Sequence, residues 1–293
     1  MGRDLADSFP VARRVFEEAD DRLGLPLSRL CFEGPEDQLM LTEHAQPAIL
    51  AASVAAYRVL EETAGLRPVA VAGHSLGEWS ALVAAGALAL GDAVVAVRER
   101  GRLMQEAVPA GVGAMAALMG AELAEVERLC DEARAGEVLS TANLNGGRQV
   151  AIAGHAGAVE RLVALASARH MKVRRLQVSA PFHCALMAPA AAGLARHLEG
   201  VRFAAPRVPV WTSVDARPIR DAAEVPGLLV RQVTSPVRWE ETVRGMAALG
   251  ATVALETGPG GVLTGLLKRT VETLPGIPAG DLEGIEKARE MLS

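Results

Sequence analysis

The stretch Val69-Ala-Val-Ala-Gly73-His74-Ser75-Leu76-Gly77-Glu-Trp-Ser-Ala81 constrains the fold more than any other. A short apolar run ends in a serine set between two glycines, and an Ala-rich segment of helical spacing follows at once. Gly-x-Ser-x-Gly between a buried strand and a helix is the nucleophile elbow. Glycine permits a sharp turn and a close approach of helix to strand. The turn lifts the serine hydroxyl off the sheet, and the helix N-terminus offers N–H groups to a developing oxyanion. The plain alternative is a glycine-rich turn that happens to hold a serine.

The rest of the chain supplies the setting an elbow needs. Apolar runs over 68–73, 208–214 and 251–258 read as strands, with helices over 3–22, 47–65, 76–86, 91–108, 184–199, 221–231, 239–249 and 261–271. Ser8 before Pro10 is a plausible start for the first helix, Pro47 opens the second and Gly65 stops it. Residues 24–35, with two glycines and two prolines, read as a loop. Alternating strands and helices imply a mostly parallel α/β sheet, a hydrolase-like core around the elbow. Between 112 and 178 the order becomes strand, helix, strand, strand, helix, strand, the split βαβ pattern of a ferredoxin-like unit. The expected division is a large α/β domain of 1–111 and 179–293 with a small domain of 112–178 inserted.

Composition narrows the function. Net charge is −5 with the basic residues scattered, so there is no nucleic-acid footprint. Cys31, Cys130 and Cys184 lack metal-ligand spacing and are too few for a disulfide framework, which points to a reduced, cytoplasmic setting. The N-terminus has no signal-peptide core. The apolar stretch over 81–97 is interrupted by Gly86, Gly91 and Asp92, too early for a membrane span. Neither a metal nor a resident cofactor is expected, and a monomer is the default.

A serine nucleophile needs a base. Of the six histidines, His170 and His197 sit among charges on helix ends, and His155 begins a helix. His74 is next to the serine, with its side chain directed elsewhere. His183, in Ser179-Ala-Pro-Phe-His-Cys-Ala-Leu-Met187, lies between a strand end and a helix start, where a side chain is presented. It is the best candidate by position. A serine hydrolase would place an acid between serine and histidine in chain order. Asp92 and Asp131 are the candidates there, but neither is placed like a triad member.

Four segments together resemble the malonyl-CoA:acyl-carrier-protein transacylase family and the related acyltransferase domains of polyketide synthesis. They are AGHSLGEWSALVAAGAL, RGRLMQEAVPAGVGAMAAL, SAPFHCALM and ETGPGGVLTGL, in matching order and spacing up to about residue 274. The resemblance implies transfer of malonyl from coenzyme A to acyl carrier protein, with the thioester as substrate. It implies Ser75 as nucleophile and His183 as base. Arg100 becomes the partner of the free malonyl carboxylate, Gln232 the residue whose main-chain carbonyl orients the histidine, and the Leu76 N–H an oxyanion donor. Phe182 matches the malonyl-selecting form of its motif. His74 and Asn143, with Asn145 nearby, are implied to border the substrate cleft. Each residue also has a bland reading: Arg100 is flanked by Arg98 and Arg102 on a charged helix, Phe182 could be simple packing, and the asparagines precede a Gly-Gly turn. A serine thioesterase and a carrier-binding relative without catalysis are the alternative functions. Members of the family open with a strand and a Pro-Gly-Gln-Gly-Ser-Gln-like loop that gives a second oxyanion donor. The sequence here opens at Met1-Gly2-Arg3-Asp4, where such a loop ends, so one donor is expected.

Overall fold

The computed structural model describes residues 1–292. The helix expected over 3–22 is two helices, α1 (Arg3–Ser8) and α2 (Pro10–Leu23). Phe9 separates them with an extended backbone, φ −127° and ψ 119°. A residue before proline is pushed out of the α region, and Pro10 then opens α2 where its missing N–H costs nothing. Ser8 therefore ends α1 and does not cap α2. The loop expected over 24–35 contains α3 (Leu27–Glu33), and α4 (Glu36–Leu39) follows. Leu27 and Cys31, one turn apart, bury the inner face of α3. Next comes α5 (Thr42–Ala64), which carries Pro47 inside it and ends at Gly65 with φ 60°. Pro47 is not the opening residue. It is buried together with Gln46, and that packing outweighs the loss of one helical hydrogen bond.

After β1 (Val71–Ala72) come α6 (Gly77–Ala84) and α7 (Leu90–Glu106). Then follow β2 (Gly113–Met119), α8 (Leu123–Arg134), β3 (Leu139–Gly146), β4 (Gln149–His155), α9 (Ala156–Ala168) and β5 (Lys172–Arg175). These four strands form one antiparallel sheet in the order β3-β4-β2-β5. Leu118, Leu129, Ile152 and Leu162 make a buried cluster between that sheet and α8 and α9.

The chain closes with α10 (Ala188–Leu198), β6 (Val210–Thr212), β7 (Arg217–Pro218), α11 (Val225–Thr234), α12 (Trp239–Ala247), β8 (Ala254–Glu256), α13 (Val262–Thr270), β9 (Gly276–Pro278) and α14 (Leu282–Leu292). The fold is α/β. The single, mostly parallel sheet expected outside β2–β5 is instead in two pieces. One has the order β1-β6-β7, with β1–β6 parallel and β6–β7 antiparallel; the other is the parallel pair β8–β9. A cavity of about 380 Å³, lined by Val71, Ala72, Ala254 and Leu255 among others, lies between β1 and β8, so no ladder joins the pieces. With a partner on one edge alone, β1 is only two residues long. The largest buried cluster packs α2, α5, α6 and α7 together through Phe16, Leu50, Leu60, Trp79 and Leu82.

One main-chain link ties β3 to the segment before α12. The Leu144 N–H donates to the Val237 carbonyl (2.8 Å) and the Val237 N–H to the Ala142 carbonyl (2.9 Å). It brings the end of β3 over the start of α6.

Candidate active site

The turn between β1 and α6 is as the sequence predicts. Ser75 sits in left-handed backbone space at φ 51°. Gly73 is required by space: a Cβ there would lie 1.8 Å from the Gly77 carbonyl carbon. Gly77 is not, since a Cβ there would meet nothing within 4 Å. The Leu76 N–H, at the head of α6, is bonded to no other group among the described residues.

His183 also has a positive φ, 61°, and is almost wholly buried. Its Nδ1 lies 2.9 Å from the Gln232 carbonyl and its Nε2 lies 2.8 Å from Ser75 Oγ. A carbonyl can only accept, so Nδ1 carries the hydrogen and Nε2 is left as the acceptor for the serine hydroxyl. Burial pushes the His183 pKa down to about 3, with the nearby Arg100 charge as the second cause. The ring is therefore neutral at pH 7 and able to take a proton.

Arg100 settles the question that Arg98 and Arg102 raised. Arg102 is exposed and pairs with Glu99 and Glu106, whereas Arg100 turns inward and is 2% exposed. Its Nη2 donates to Ser75 Oγ (3.0 Å) and Gln232 Oε1 (3.0 Å), and its Nη1 to Gln46 Oε1 (2.6 Å). Three of its five N–H donors are thus engaged; Nε, buried, has no partner.

Gln232 does more than the resemblance implied. Besides its carbonyl, its side chain serves the site: Oε1 accepts from Arg100, and Nε2 donates to Glu78 Oε2 (2.7 Å) and to the Ser75 carbonyl (3.1 Å). Glu78, Gln46 and Ser213 were missed by sequence reasoning. Glu78 is fully buried, and its Oε2 also accepts from the Ser213 N–H (3.0 Å) and hydroxyl (2.6 Å). The available signal was Ser75-x-x-Glu78, the spacing of a capping box, in which the glutamate would reach back to its own helix start. Here it turns into the core instead.

The remaining predicted residues are brought near but bonded differently. His74 is half-buried, its Nε2 lies 2.9 Å from Asn145 Oδ1, and its ring is tilted against Trp239 at 5.7 Å. Burial lowers its pKa as well. Asn143 is buried in the backbone bridge to Val237; among the two asparagines it is Asn145 whose side chain reaches the elbow. Phe182, half-buried, packs between the large cluster and the small one that holds Cys184. Cys184 is buried, donates to the Pro181 carbonyl, and has its thiol pushed up to about 11 by burial, consistent with a small apolar side chain. Asp92 and Asp131 lie away from His183, paired with Arg22 and Arg134 respectively.

Comparison with known proteins gives one answer. The profile of a family described as "Acyl transferase domain" matches residues 1–289. The malonyl CoA-acyl carrier protein transacylase of Escherichia coli (strain K12) is 46% identical over 292 residues, 99% of this chain and 94% of the relative. That of Bacillus subtilis (strain 168) is 44% identical, covering 100% of this chain and 92% of the relative. Among solved structures, the Coxiella burnetii malonyl CoA-acyl carrier protein transacylase superposes with a TM-score of 0.97 at 40% identity, over 100% of this chain and 93% of that one. A malonyl-transacylase solved in complex with a type II PKS acyl-carrier protein gives 0.96 at 46% identity, over 99% of this chain and 94% of that one. With its elbow, its buried arginine and this likeness along its whole length, the chain belongs to the acyl transferase domain family.

Proposed function

We propose that the chain is a ping-pong acyltransferase that moves malonyl from malonyl-CoA to the phosphopantetheine thiol of acyl carrier protein through an ester on Ser75. The observation that carries this reading is the line Ser75 Oγ, His183 Nε2, His183 Nδ1, Gln232 carbonyl, with a buried arginine donating to the same Oγ. The names of the relatives and the solved carrier-protein complex support the two substrates.

In the first half, Ser75 Oγ attacks the thioester carbonyl carbon while His183 Nε2 takes its proton. The carbonyl oxygen becomes an oxyanion near the head of α6, where the Leu76 N–H is free to donate. The C–S bond breaks, His183 returns the proton to sulfur, and coenzyme A leaves as the thiol. In the second half, His183 takes the proton of the phosphopantetheine thiol, sulfur attacks the ester, and the proton ends on Ser75 Oγ. The buried, planar guanidinium of Arg100, set beside Ser75 Oγ, suits the free carboxylate of malonyl, which a guanidinium can bind through two donors on one edge. That carboxylate would offset the Arg100 charge that holds His183 down, making the base stronger once substrate is in place. Phe182, beside the base, narrows the acyl pocket.

The sheet order β3-β4-β2-β5 supports reading 112–178 as a ferredoxin-like unit inserted in a hydrolase-like α/β domain of 1–111 and 179–293. Three buried free cysteines suit a reducing compartment such as the cytoplasm. All the residues in the scheme come from one chain.

The test is intact mass spectrometry. Malonyl-CoA alone should leave one malonyl group on Ser75, and added holo carrier protein should remove it and gain it. Free malonate formed at the rate of coenzyme A release, with or without carrier protein, would make the enzyme a hydrolase.

A further inference from the structure

Burying a guanidinium in a dry site is costly unless a counter-charge lies near. A counter-charge in direct contact, however, would occupy the donors that a substrate carboxylate needs. Among the described residues, no carboxylate lies within 4.0 Å of the Arg100 guanidinium. The nearest route to one runs through the Gln232 amide, whose Oε1 accepts from Arg100 Nη2 (3.0 Å) while its Nε2 donates to Glu78 Oε2 (2.7 Å). Arg100 can only donate and an ionised Glu78 can only accept, so the amide has one permitted orientation. The two charges sit on opposite ends of one oriented dipole, and both residues are buried.

We propose that Glu78 is a positioning residue that serves as the counter-ion of Arg100 at one amide's remove, keeping the guanidinium charged and buried while leaving its donors open to an acyl carboxylate. The arrangement thereby sets the preference for a dicarboxylic acyl group over a monocarboxylic one. The selectivity part rests on the malonyl-transfer reading given above; the pairing of charges does not. Glu78 lies three residues after the nucleophile and Gln232 holds the base through its carbonyl, so the same network also fixes the geometry of Ser75 and His183. Burial lowers the Arg100 pKa and raises that of Glu78, and the Coulombic influence of Glu78 on Arg100 opposes the first of these shifts.

Two measurements decide it. The first is a stability cycle without substrate. Glu78→Gln keeps an oxygen for Ser213 and Gln232 and removes only the charge, so it should lower the Tm, and Arg100→Met in that background should restore a large part of the loss. If Glu78→Gln alone does not fold, recovery of folded protein in the double variant gives the same answer. Additive losses, with no coupling between positions 78 and 100, would overturn the proposal.

The second measurement moves the charge without changing its sum. In Glu78→Gln with Gln232→Glu, the carboxylate contacts Arg100 directly, while the main-chain carbonyl at 232 still orients His183. Single-turnover acylation of Ser75, read as the ratio of the malonyl to the acetyl rate whatever the two absolute rates, should then lose malonyl-over-acetyl preference by about tenfold or more; a tenfold change corresponds to ~1.4 kcal/mol. A parental preference in this double variant would show that the location of the charge is immaterial and would refute the selectivity claim. Failure of the parent to form any malonyl ester would instead refute the functional reading, and the stability cycle would still decide whether Glu78 and Arg100 are coupled.

Discussion

Ser75 and His183 are both non-glycine residues held at positive φ, 51° and 61°, and their side chains meet at 2.8 Å. Such conformations cost about 1–3 kcal/mol each and persist only where the surroundings enforce them. Here the enforcement is visible. Gly73 lets α6 close onto the elbow on one side, and the Gln232 carbonyl tethers the imidazole on the other. The proposed nucleophile and base are aimed at each other by backbone, before any side-chain choice is made.

Gly73→Ala should therefore be far more damaging than Gly77→Ala, although both glycines belong to the same motif. The first puts a Cβ 1.8 Å from a main-chain carbon, and the second puts one in open space. Soluble yield and Tm of the two variants check this. Equal losses would mean the turn relaxes around position 73.

Ser75→Ala should abolish the malonyl adduct in intact mass spectrometry without loss of fold, since the hydroxyl's two partners, His183 and Arg100, keep their other hydrogen bonds. An adduct that persists would move the nucleophile elsewhere.

Arg100→Ala should depress malonyl transfer and leave acetyl transfer equal or faster, because only malonyl offers a second carboxylate. A charge-assisted hydrogen bond contributes roughly 1.5–3 kcal/mol, or about 10- to 150-fold. Side-by-side rates with malonyl-CoA and acetyl-CoA measure it, and an equal fall in both would reduce Arg100 to a structural role.

The depressed His183 pKa has a consequence for stability with a definite sign. The unfolded ring titrates near 6.5 and the folded one near 3, so between these values the unfolded state holds the extra proton. Stability is then full above about pH 6.5 and falls as pH drops toward 3, by at most ~1.4 kcal/mol per pH unit from this group. Thermal melts from pH 7 to pH 4.5 should show a shallower acid loss for His183→Gln than for the parent. His74, shifted down by burial in the same direction, acts in both proteins and cancels from the comparison. Parallel curves would mean His183 accepts a proton in place.

The elbow was legible in the sequence because everything that makes it lies within a few residues of Ser75. His183 was legible as the partner of Ser75 because it stands at an element boundary. Glu78 was not, because its partners Ser213 and Gln232 are 135 and 154 residues away along the chain, and its spacing from Ser75 imitates a local helix cap. The antiparallel sheet of β2–β5 could be read from pattern since its strands are neighbours in sequence. The parallel strands could not be bounded, because β1 pairs with β6 across nearly half the chain and its length depends on that partner. Pro47 misled for a related reason: a proline near a helix start is a local signal, and burial of Gln46, Pro47 and the turns that follow them in α5 overrode it.

The bridge between β3 and Val237 limits how the cleft can work. Swinging the β2–β5 sheet away from the elbow would break the hydrogen bonds of Ala142 and Leu144 to Val237 and the contact of His74 with Asn145. Along that side the cleft is a slot tied by main chain, and opening it there would cost those hydrogen bonds. Both thiols in the proposed exchange, coenzyme A and the carrier's arm, end in the same slender pantetheine, and a slot of that kind would admit either by threading.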